Sequence, residues 1–594
     1  MLEKIKLILR SVRQYKKYAI ITPIFMVGEA ALECVMPFIM GMFVDNIKGL
    51  SSANDFFYSA NGSIPVFYLA LILVGMAILS LICGIMGGRF ASIASIGLAT
   101  NLRNDLYAKL TNFSFENIDN FSASSLVTRM TTDINNVQMS FQMMIRIVVR
   151  APLMLIFSTV MAFISGGIMG LVFVVLIPIT GFGLYLIVKK AMKIFMTVFK
   201  KYDTLNESVQ ENVSGIRVVK SYVREDFEKQ KFSSASDNIT NEFIKAEKIV
   251  ALNNPLINTA IHLSNILVVG LGSYVIFRTA HWDEGLKDFT GGVLSCGQLS
   301  SLITYGIQIL MSLMMISMIM VMLAMSFESA RRIAEVLEEE STIKNPEHPL
   351  YSVPNGSVVF NNVSFKYKKD AEEYALKNIN INIKSGQFIG ILGSTGSGKT
   401  STVNLISRLY DATEGEILVG GHNVKEYDLK TLRDKVAVVL QKNILFSGTI
   451  ESNLRWGNEH ANEPQLWKAC QIAQAEEIVK AKPELFASRV EQGGANFSGG
   501  QKQRLCIARA ILKEPKIMIL DDSTSAVDTK TDRLIRKGLK EDLPEMTKIV
   551  IAQRISSIED ADQIVIMDNG MIDQVGTHDE LIKTNKIYQE VYRT

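Results

Sequence analysis

The chain has 594 residues, of which 48% are hydrophobic and 20% are charged, and its formal net charge is +3. This length exceeds one ordinary domain, and a charge so close to neutral does not suggest a nucleic-acid partner. The five cysteines are scattered, odd in number and without metal-ligand spacing, so no disulfide framework is expected. They are Cys34, Cys83, Cys296, Cys470 and Cys506.

The N-terminal 17 residues are basic and amphipathic. Lysines and arginines are interspersed with leucines and isoleucines, directly before a long apolar run. This pattern is typical of a helix that lies on the cytoplasmic face of a membrane. A cleaved signal peptide is the alternative, but the apolar run that follows is too long and lacks a clear small-residue cleavage site.

Six apolar segments are long enough to cross a membrane, since a spanning helix needs about 20 residues. They are residues 18–43, 64–87, 141–164, 168–188, 254–277 and 294–327. The segment between the fourth and fifth spans is rich in lysine and arginine, whereas residues 44–63 contain only Lys48. Because positive residues collect on the cytoplasmic side, we expect a multi-pass protein of the plasma membrane with both termini in the cytoplasm.

Two cytoplasmic connections, residues 88–140 and 189–253, are too long for loops and contain few helix-breaking residues. They are predicted to be helices that extend out of the membrane rather than soluble loops. Within them, residues 120–129 with 133–137, and residues 211–220, resemble the first and second coupling helices of type IV ABC exporters. The resemblance implies a domain-swapped dimer, because in that family the second coupling helix docks on the ATPase domain of the other subunit.

Two features of the spans have alternative interpretations. Glu29 and Glu33 lie four residues apart in the first span, and therefore on one helix face. A cation or proton site is one interpretation, and bonding between helices is the favoured one. The last span contains seven methionines, which suit either an adaptable drug-binding surface or lipid-facing packing. They are Met311, Met314, Met315, Met318, Met320, Met322 and Met325.

A second domain follows the last span. Residues 331–356 contain an acidic run, three prolines and a glycine, which predict a linker. The expected division is therefore an amphipathic helix at 1–17, a transmembrane domain at 18–330, the linker at 331–356 and the second domain at 357–594.

The second domain contains a phosphate-binding loop between a predicted buried strand at 388–392 and a predicted helix at 400–409. Backbone N–H groups of such a loop surround phosphate, Lys399 reaches the β- and γ-phosphates of ATP, and Thr400 holds Mg²⁺. An earlier predicted strand at 358–365 leads to Tyr367, which resembles the exporter aromatic that stacks on adenine. The predicted ATP-binding residues are Tyr367, Gly393, Ser394, Thr395, Gly396, Ser397, Gly398, Lys399, Thr400 and Ser401.

Further motifs resemble the ATPase domain of ABC exporters and follow in the family's order. Gln441 resembles the Q-loop glutamine, which touches Mg²⁺ and the lytic water, and Asp521 ends a strand where it would also hold Mg²⁺. The signature motif, which contacts the nucleotide of the partner subunit, is resembled by Ser498, Gly499, Gly500 and Gln501. Residues 525–528, ending in Asp528, resemble the D-loop at the dimer interface. The fold class implied is a six-helix, domain-swapped exporter transmembrane domain followed by an α/β P-loop ATP-binding cassette domain.

Two residues depart from the family pattern. Asp522 stands where exporters have the glutamate that positions the attacking water, and Gln553 stands where they have histidine. Aspartate is one methylene shorter, and a misplacement of about 1 Å can cost about a hundredfold in rate. Glutamine can still donate a hydrogen bond to a γ-phosphate but cannot take the positive charge available to histidine. MgATP binding is therefore expected to survive while hydrolysis slows. The candidate catalytic residues are Asp522, Gln553 and Gln441.

This pair of departures resembles one half of the bacterial heterodimeric multidrug exporters, in which one ATP site is degenerate and the other competent. The resemblance implies a second ABC half-transporter as partner, contact with membrane lipids, an amphipathic substrate and no nucleic acid. Two alternatives remain: a homodimeric lipid or glycolipid flippase with slow hydrolysis, and a nucleotide-gated regulator. No motif in the spans identifies the transported substrate.

Overall fold

The computed structural model of the protein describes residues 2–48, 65–279, 281–283, 288–290, 292–368, 371–522 and 527–593. The chain forms two compact units. The membrane unit comprises Met1–Thr111 and Ala123–Glu339, and the P-loop unit comprises Asn112–Ser122 and Glu340–Thr594. The short segment Asn112–Ser122 therefore belongs to the P-loop unit, although it lies inside the predicted transmembrane domain.

Helices account for most of the described chain as far as Glu338. They are α1 Leu2–Arg10, α2 Lys16–Lys48, α3 Val66–Asn112, α4 Phe115–Phe121, α5 Ala123–Thr128, α6 Ile134–Met143, α7 Val149–Gly166, α8 Leu171–Ser214, α9 Ile216–Ser221, α10 Glu225–Val250, α11 Asn253–Thr279 and α12 Cys296–Glu338. Between α11 and α12 a small antiparallel hairpin pairs β1 His281–Asp283 with β2 Asp288–Thr290. α12 extends beyond the predicted span at 294–327 and ends at Glu338, within the predicted linker.

Within the described residues, five helical stretches are long and apolar enough to cross a membrane. The longest, Ala123–Phe195, contains both the third and the fourth predicted spans. A short 3₁₀ turn at Gly167–Gly170 separates them, and Gly167 has a φ of +53°, which favours glycine. The five stretches thus account for the six predicted spans. The predicted outer loop 44–63 falls largely on residues 49–64, outside the described residues.

Both long connections are largely helical, as predicted. α3 continues from its apolar part to Asn112 and α8 continues to Ser214, while α10 begins at Glu225 and packs against α8. The N-terminal segment is also helical, and Ile8 of α1 is buried within the membrane unit. The amphipathic and polar stretches that lie next to the predicted spans are therefore helical.

Small residues let the first and last membrane helices approach closely. A Cβ atom placed on Gly41 of α2 would lie 2.8 Å from the carbonyl oxygen of Gly297 in α12. At the same place Asp45 accepts hydrogen bonds from the Gly297 N–H at 2.8 Å and from the Ser295 hydroxyl at 2.5 Å. Close backbone approach at small residues is how helices commonly pack in membranes, and here it also caps the start of α12.

The two acidic residues of the first span share one cation. Arg150 of α7 lies 2.8 Å from both carboxylate oxygens of Glu33 and 3.5 Å from Glu29. The favoured interpretation of the pair, bonding between helices, is therefore confirmed by these contacts. A charged side chain inside a membrane normally pairs in this way, and the arginine in the third span is the sequence signal for it.

Within its described residues, the P-loop unit contains a six-stranded sheet, a four-stranded sheet and a two-stranded sheet, together with helices. Its strands are β3 Val358–Phe365, β4 Leu376–Ile383, β5 Phe388–Gly393, β6 Glu414–Val419, β7 His422–Asn423, β8 Val436–Val439, β9 Gly448–Thr449, β10 Arg489–Val490, β11 Ile517–Asp521, β12 Thr547–Ile551, β13 Gln563–Asp568 and β14 Met571–Gly576. Its helices are α13 Lys399–Ile406, α14 Leu429–Lys435, α15 Ile450–Leu454, α16 Glu463–Ile472, α17 Glu476–Lys480, α18 Gly499–Leu512, α19 Thr529–Asp542, α20 His578–Thr584 and α21 Lys586–Arg593.

The larger sheet has the order β14-β13-β5-β12-β11-β8, and it is parallel except at β14. Every residue of β11 and β12 is buried, as expected for central parallel strands covered on both faces. The four-stranded sheet, β4-β3-β6-β7, is antiparallel. The α/β fold class predicted for this part of the chain is confirmed.

Candidate active site

The predicted site residues meet at one edge of the larger sheet. β5, β12, β11 and β8 are consecutive parallel neighbours, so their carboxyl ends lie side by side. Gly393 ends β5, Asp522 follows β11, and Gln553 and Gln441 follow β12 and β8 within two residues. Ligands of open α/β sheets bind at this edge.

The phosphate-binding loop turns sharply between β5 and α13. Gly396 and Gly398 have φ values of +86° and +98°, which side chains with a Cβ rarely adopt. Gly398 precedes the first residue of α13, so the loop leads directly to a helix N-terminus, where N–H groups attract phosphate. Gly393 is the last residue of β5, and the other predicted residues lie in the loop or in the first turn of α13: Ser394, Thr395, Gly396, Ser397, Gly398, Lys399, Thr400 and Ser401.

Lys399 folds back over this loop. Its ammonium donates to the carbonyl oxygens of Gly393 at 2.8 Å and Ser394 at 2.7 Å. Partial burial lowers the pKa of Lys399, while Asp521 and Asp522 act in the opposite direction. The loop therefore carries a positive charge at its centre, close to the two carboxylates.

Two of the three predicted Mg²⁺ ligands lie together. The Thr400 hydroxyl donates to the Asp521 carboxylate, with distances of 2.9 and 3.2 Å to its two oxygens. Burial raises the pKa of Asp521, and the Thr400 hydroxyl partly offsets this effect. A hydroxyl and a carboxylate side by side are oxygen donors of the kind that Mg²⁺ prefers, so these residues fit the ion. The third predicted ligand, Gln441, directs its amide to Asp522 instead.

The two residues that depart from the exporter pattern bond to each other. The Gln553 Nε2 donates to the Asp522 Oδ2 at 2.8 Å, and the Gln441 Nε2 reaches the same oxygen at 3.3 Å. Asp522 is buried, and burial raises the pKa of its carboxyl group. Its φ of +48° is one that few residues other than glycine adopt. The carboxylate is thus held by two side-chain amides.

Tyr367 lies in a cluster of three aromatic rings. Its ring is nearly perpendicular to those of Phe365 and Tyr410, with centroid distances of 4.8 and 5.3 Å. Its hydroxyl is 2.8 Å from that of Ser401 in α13. Tyr367 keeps 42% of its surface exposed, and its hydroxyl lies beside the first turn of α13.

The signature residues form a capped helix start. The Ser498 hydroxyl accepts a hydrogen bond from the Gln501 N–H at 3.3 Å, and the Gln501 side chain accepts one from the Ser498 N–H at 3.0 Å. Gly499 and Gly500 begin α18 at the surface. Asp528 caps α19 by accepting from the Thr531 N–H, which lowers its pKa. The rest of the predicted D-loop, residues 525–526, lies outside the described residues.

Two residues that bear on the site were not found from the sequence. Tyr410 packs against Tyr367 and donates to the Asp119 carboxylate at 2.6 Å. Asp119 is 291 positions earlier in the chain, and no motif links it to the nucleotide site. Only the fold brings these residues together.

Family models match both parts of the chain. Residues 19–281 match the family described as ABC transporter transmembrane region, and residues 376–525 match the family described as ABC transporter. The chain is 31% identical to YfiB of Bacillus subtilis, an uncharacterized ABC transporter ATP-binding protein, over 98% of this chain and 97% of the relative. The chain belongs to the ABC transporter family.

Other relatives and one solved structure extend this result. The transporter is 33% identical to an uncharacterized ABC transporter ATP-binding protein of Mycobacterium tuberculosis, over 88% of each chain. It is 29% identical to an ATP-dependent lipid A-core flippase of Saccharophagus degradans, over 100% of this chain and 98% of the relative. A bacterial Atm1-family ABC exporter with ATP bound superposes with a TM-score of 0.78 at 22% identity, covering 97% of this chain and 98% of that one. The protein is thus a multi-pass membrane protein with an ABC exporter fold and an ABC transporter ATPase domain that binds ATP.

Proposed function

We propose that this chain is one subunit of a heterodimeric exporter of amphipathic small molecules, and that its own ATP site binds nucleotide but hydrolyses it slowly. The observation that carries the proposal is the contact between Gln553, Asp522 and Gln441. A carboxylate that positions water must be free to accept its hydrogen bonds within about 3 Å. Here that carboxylate is short by one methylene and already accepts from two amides.

Nucleotide binding remains intact in this proposal. Tyr367 would stack on adenine, residues 393–401, including Lys399, would hold the phosphates, and Thr400, Asp521 and Gln441 would hold Mg²⁺. Two observations support this: the loop glycines Gly396 and Gly398 have positive φ values, and the Thr400 hydroxyl contacts the Asp521 carboxylate. The Mg²⁺ ion offsets phosphate charge, and the chain's own groups fix the nucleotide's orientation.

The partner uses the intact signature motif of this chain. Ser498, Gly499, Gly500 and Gln501 start a helix at the surface, where N–H groups and a hydroxyl suit a γ-phosphate held by the second subunit. The expected partner is a second ABC half-transporter with glutamate and histidine at the positions equivalent to Asp522 and Gln553, and with an altered signature motif. Asp528 lies at the same interface.

A domain-swapped contact joins the two subunits. The segment around α9 exposes apolar side chains that are unusual on a solvated helix: Ile216, Val218, Tyr222 and Val223. The P-loop unit exposes an apolar groove after β8, in which Phe446 stacks on Trp456 at 4.2 Å. Exposed apolar patches of this kind mark interaction surfaces, so the α9 segment of one subunit occupies the groove of the other.

The membrane orientation places both termini in the cytoplasm of a bacterial cell, because lysine and arginine are concentrated between the fourth and fifth spans. The basic helix α1 lies on the cytoplasmic membrane face.

The test is ATP hydrolysis by the full chain purified alone, and then co-purified with a candidate ABC half-transporter. The proposal expects near-zero activity alone and robust activity together. Replacing the partner's catalytic glutamate abolishes the activity, whereas Asp522→Asn only reduces it. Comparable activity from this chain alone, lost in Asp522→Asn, would overturn the heterodimer.

A homodimeric lipid flippase is the second candidate, and the similarity to the lipid A-core flippase favours it. It expects ATP hydrolysis by this chain alone, stimulated by lipid. A nucleotide-gated regulator, the third candidate, expects no stimulation of hydrolysis by any transported compound.

A further inference from the structure

A short helix inserted between two membrane helices is part of the P-loop unit. α4 Phe115–Phe121 lies in the segment Asn112–Ser122, whose two ends continue directly into α3 and α5 of the membrane unit. Ser114 caps α4 through reciprocal bonds with Asn117. The chain therefore connects α4 directly to α3 on one side and to α5 on the other.

Two contacts tie α4 to Tyr410. The Tyr410 hydroxyl donates to the Asp119 carboxylate at 2.6 Å, and the Phe115 ring lies 6.1 Å from the Tyr410 ring. Burial, together with the neighbouring Asp119, raises the pKa of Tyr410, so its hydroxyl keeps the proton that it donates. This is a charge-assisted hydrogen bond, which is stronger than a neutral one.

Tyr410 in turn holds the ring that faces the nucleotide site. It is buried, and its ring packs edge-on against Tyr367 at 5.3 Å and near Phe365 at 5.6 Å. Perpendicular aromatic pairs of this kind have a preferred geometry. The position of Tyr367 therefore depends on Tyr410, and that of Tyr410 depends on Asp119.

We propose that Tyr410 is a positioning residue that makes adenine binding by Tyr367 depend on the docked state of α4. This rests on the proposed role of Tyr367 in stacking on adenine. When Asp119 holds Tyr410, Tyr367 is oriented for the base. When α4 moves away, Tyr410 loses its acceptor and the affinity for ATP falls. By thermodynamic linkage, ATP must tighten the docking of α4 by the same factor.

Other hydrogen bonds besides that of Tyr410 hold α4 in the P-loop unit, so the Tyr410 contact can be removed without detaching α4. Asn117 donates to the Glu340 carbonyl oxygen at 3.1 Å, and the hydroxyls of Ser114 and Thr342 are 2.7 Å apart. A change that removes only the Tyr410 hydroxyl therefore leaves α4 attached. Tyr410→Phe is this change, and it keeps the ring that packs on Tyr367.

The matched control is Tyr374→Phe. Tyr374 also donates to a carboxylate of the same unit, Glu414 at 2.9 Å, but its ring lies under the Lys366 ammonium instead of in the Tyr367 cluster. It makes the same chemical change at a site without a link to α4.

The first measurement is equilibrium binding of ATP and of inorganic tripolyphosphate, both with Mg²⁺, to the full chain in lipid nanodiscs. Tyr410→Phe is expected to weaken ATP about fivefold, the effect of one hydrogen bond, and to leave tripolyphosphate binding unchanged. Asp119→Ala should give the same loss, and the double variant no more than either. Equal losses for both ligands would mean that Tyr410 is only structural, and no loss relative to Tyr374→Phe would also overturn the proposal.

The second measurement is hydrogen exchange of the peptide covering residues 113–121. ATP, but not tripolyphosphate, should slow its exchange in the unmodified chain, and Tyr410→Phe should remove most of that effect. A response that is the same for both ligands contradicts the link. Tyr367→Ala separates the two hypotheses. If it weakens ATP and tripolyphosphate equally, the adenine role of Tyr367 fails. If it weakens ATP alone while Tyr410→Phe behaves as Tyr374→Phe does, only the present inference fails.

Discussion

Reverting the two unusual side chains tests why the ATP site of this chain is slow. The change is Asp522→Glu together with Gln553→His, in the full chain. The Gln553 amide lies 2.8 Å from the Asp522 carboxylate and the Gln441 amide lies 3.3 Å from it. The double reversion lengthens the carboxylate and removes the nearer amide at the same time.

The expected gain in hydrolysis rate follows from the length of the carboxylate side chain at position 522 and from its hydrogen bond with Gln553. One methylene moves a carboxylate by about 1.3 Å, and a misplacement of about 1 Å can cost about a hundredfold in rate. A hydrogen bond to a charged group is worth about 1.5–3 kcal/mol, so Gln553 holds Asp522 against movement toward a water molecule. We expect each single reversion to raise the hydrolysis rate less than tenfold and the double reversion to raise it about a hundredfold, because contacting residues do not act additively.

The assay is phosphate release by the purified chain in nanodiscs, with the rate extrapolated to saturating MgATP. Adding Lys399→Ala to the double reversion is the control, since it should return the rate to background if the gained activity comes from this site. If the unmodified chain, the two single reversions and the double reversion all bind ATP with the same affinity, the substitutions have changed the hydrolysis rate and not ATP binding.

Two results would refute the reasoning. The first is an unmodified chain that already hydrolyses ATP as fast as the double reversion, with Asp522→Asn abolishing the activity. The second is a double reversion that binds ATP normally but remains as slow as the unmodified chain, which would place the defect elsewhere in the site.

Other expected outcomes concern the membrane core, the metal site and a buried lysine. Arg150→Met removes the cation shared by the two acidic side chains of the first span and should lower the free energy of unfolding by about 2–4 kcal/mol. The measurement is the unfolding temperature in detergent, which should fall in Arg150→Met and fall less in Arg150→Lys. An unchanged temperature contradicts the pairing. Thr400→Ala should reduce the gain in ATP affinity on adding Mg²⁺ by about tenfold, whereas Thr400→Ser should not, because only the hydroxyl lies against Asp521; equal Mg²⁺ dependence in both variants argues against this site. Burial lowers the pKa of Lys548 from its usual 10.5 to about 8, so between these values the unfolded chain binds more protons and stability rises with pH. Lys548→Met should therefore increase the free energy of unfolding at pH 7 by up to about 3 kcal/mol, measured as a higher unfolding temperature. This gain in stability should disappear near pH 10.5, and a gain that does not change with pH would contradict the lowered pKa of Lys548.

Much of the architecture follows from composition along the chain. Apolar runs of about 20 residues are long enough to span a membrane, and a spanning segment is helical because every backbone group must be bonded internally. The central strands of the larger sheet are short, mainly apolar runs such as Ile517–Asp521, which fit a sheet covered on both faces. The order of motifs then fixed the family. The turn at Gly167–Gly170, which divides the longest helical stretch, lies at the predicted boundary between the third and fourth spans.

Contacts between side chains that are far apart in the sequence could not be predicted from composition or motifs. Arg150 was visible in the sequence as a cation in the third span, but its choice of Glu33 depends on how α2 and α7 pack. The bond between Tyr410 and Asp119 joins a turn after α13 to an insertion between membrane helices. Both contacts are set by side-chain geometry across elements, for which no local pattern exists.

The contact between Asp522 and Gln553 changes how their substitution is interpreted. Asp521 pairs with Ile551 across neighbouring parallel strands, so the residues that follow them emerge side by side at the same sheet edge. From the sequence the two departures looked like independent changes that both weaken hydrolysis. Because the two side chains bond each other, they are better counted as one change: the shorter carboxylate is met by an amide that replaces a chargeable ring. The two side chains should therefore act together on the hydrolysis rate, and the rates of the single and double reversions test this coupling.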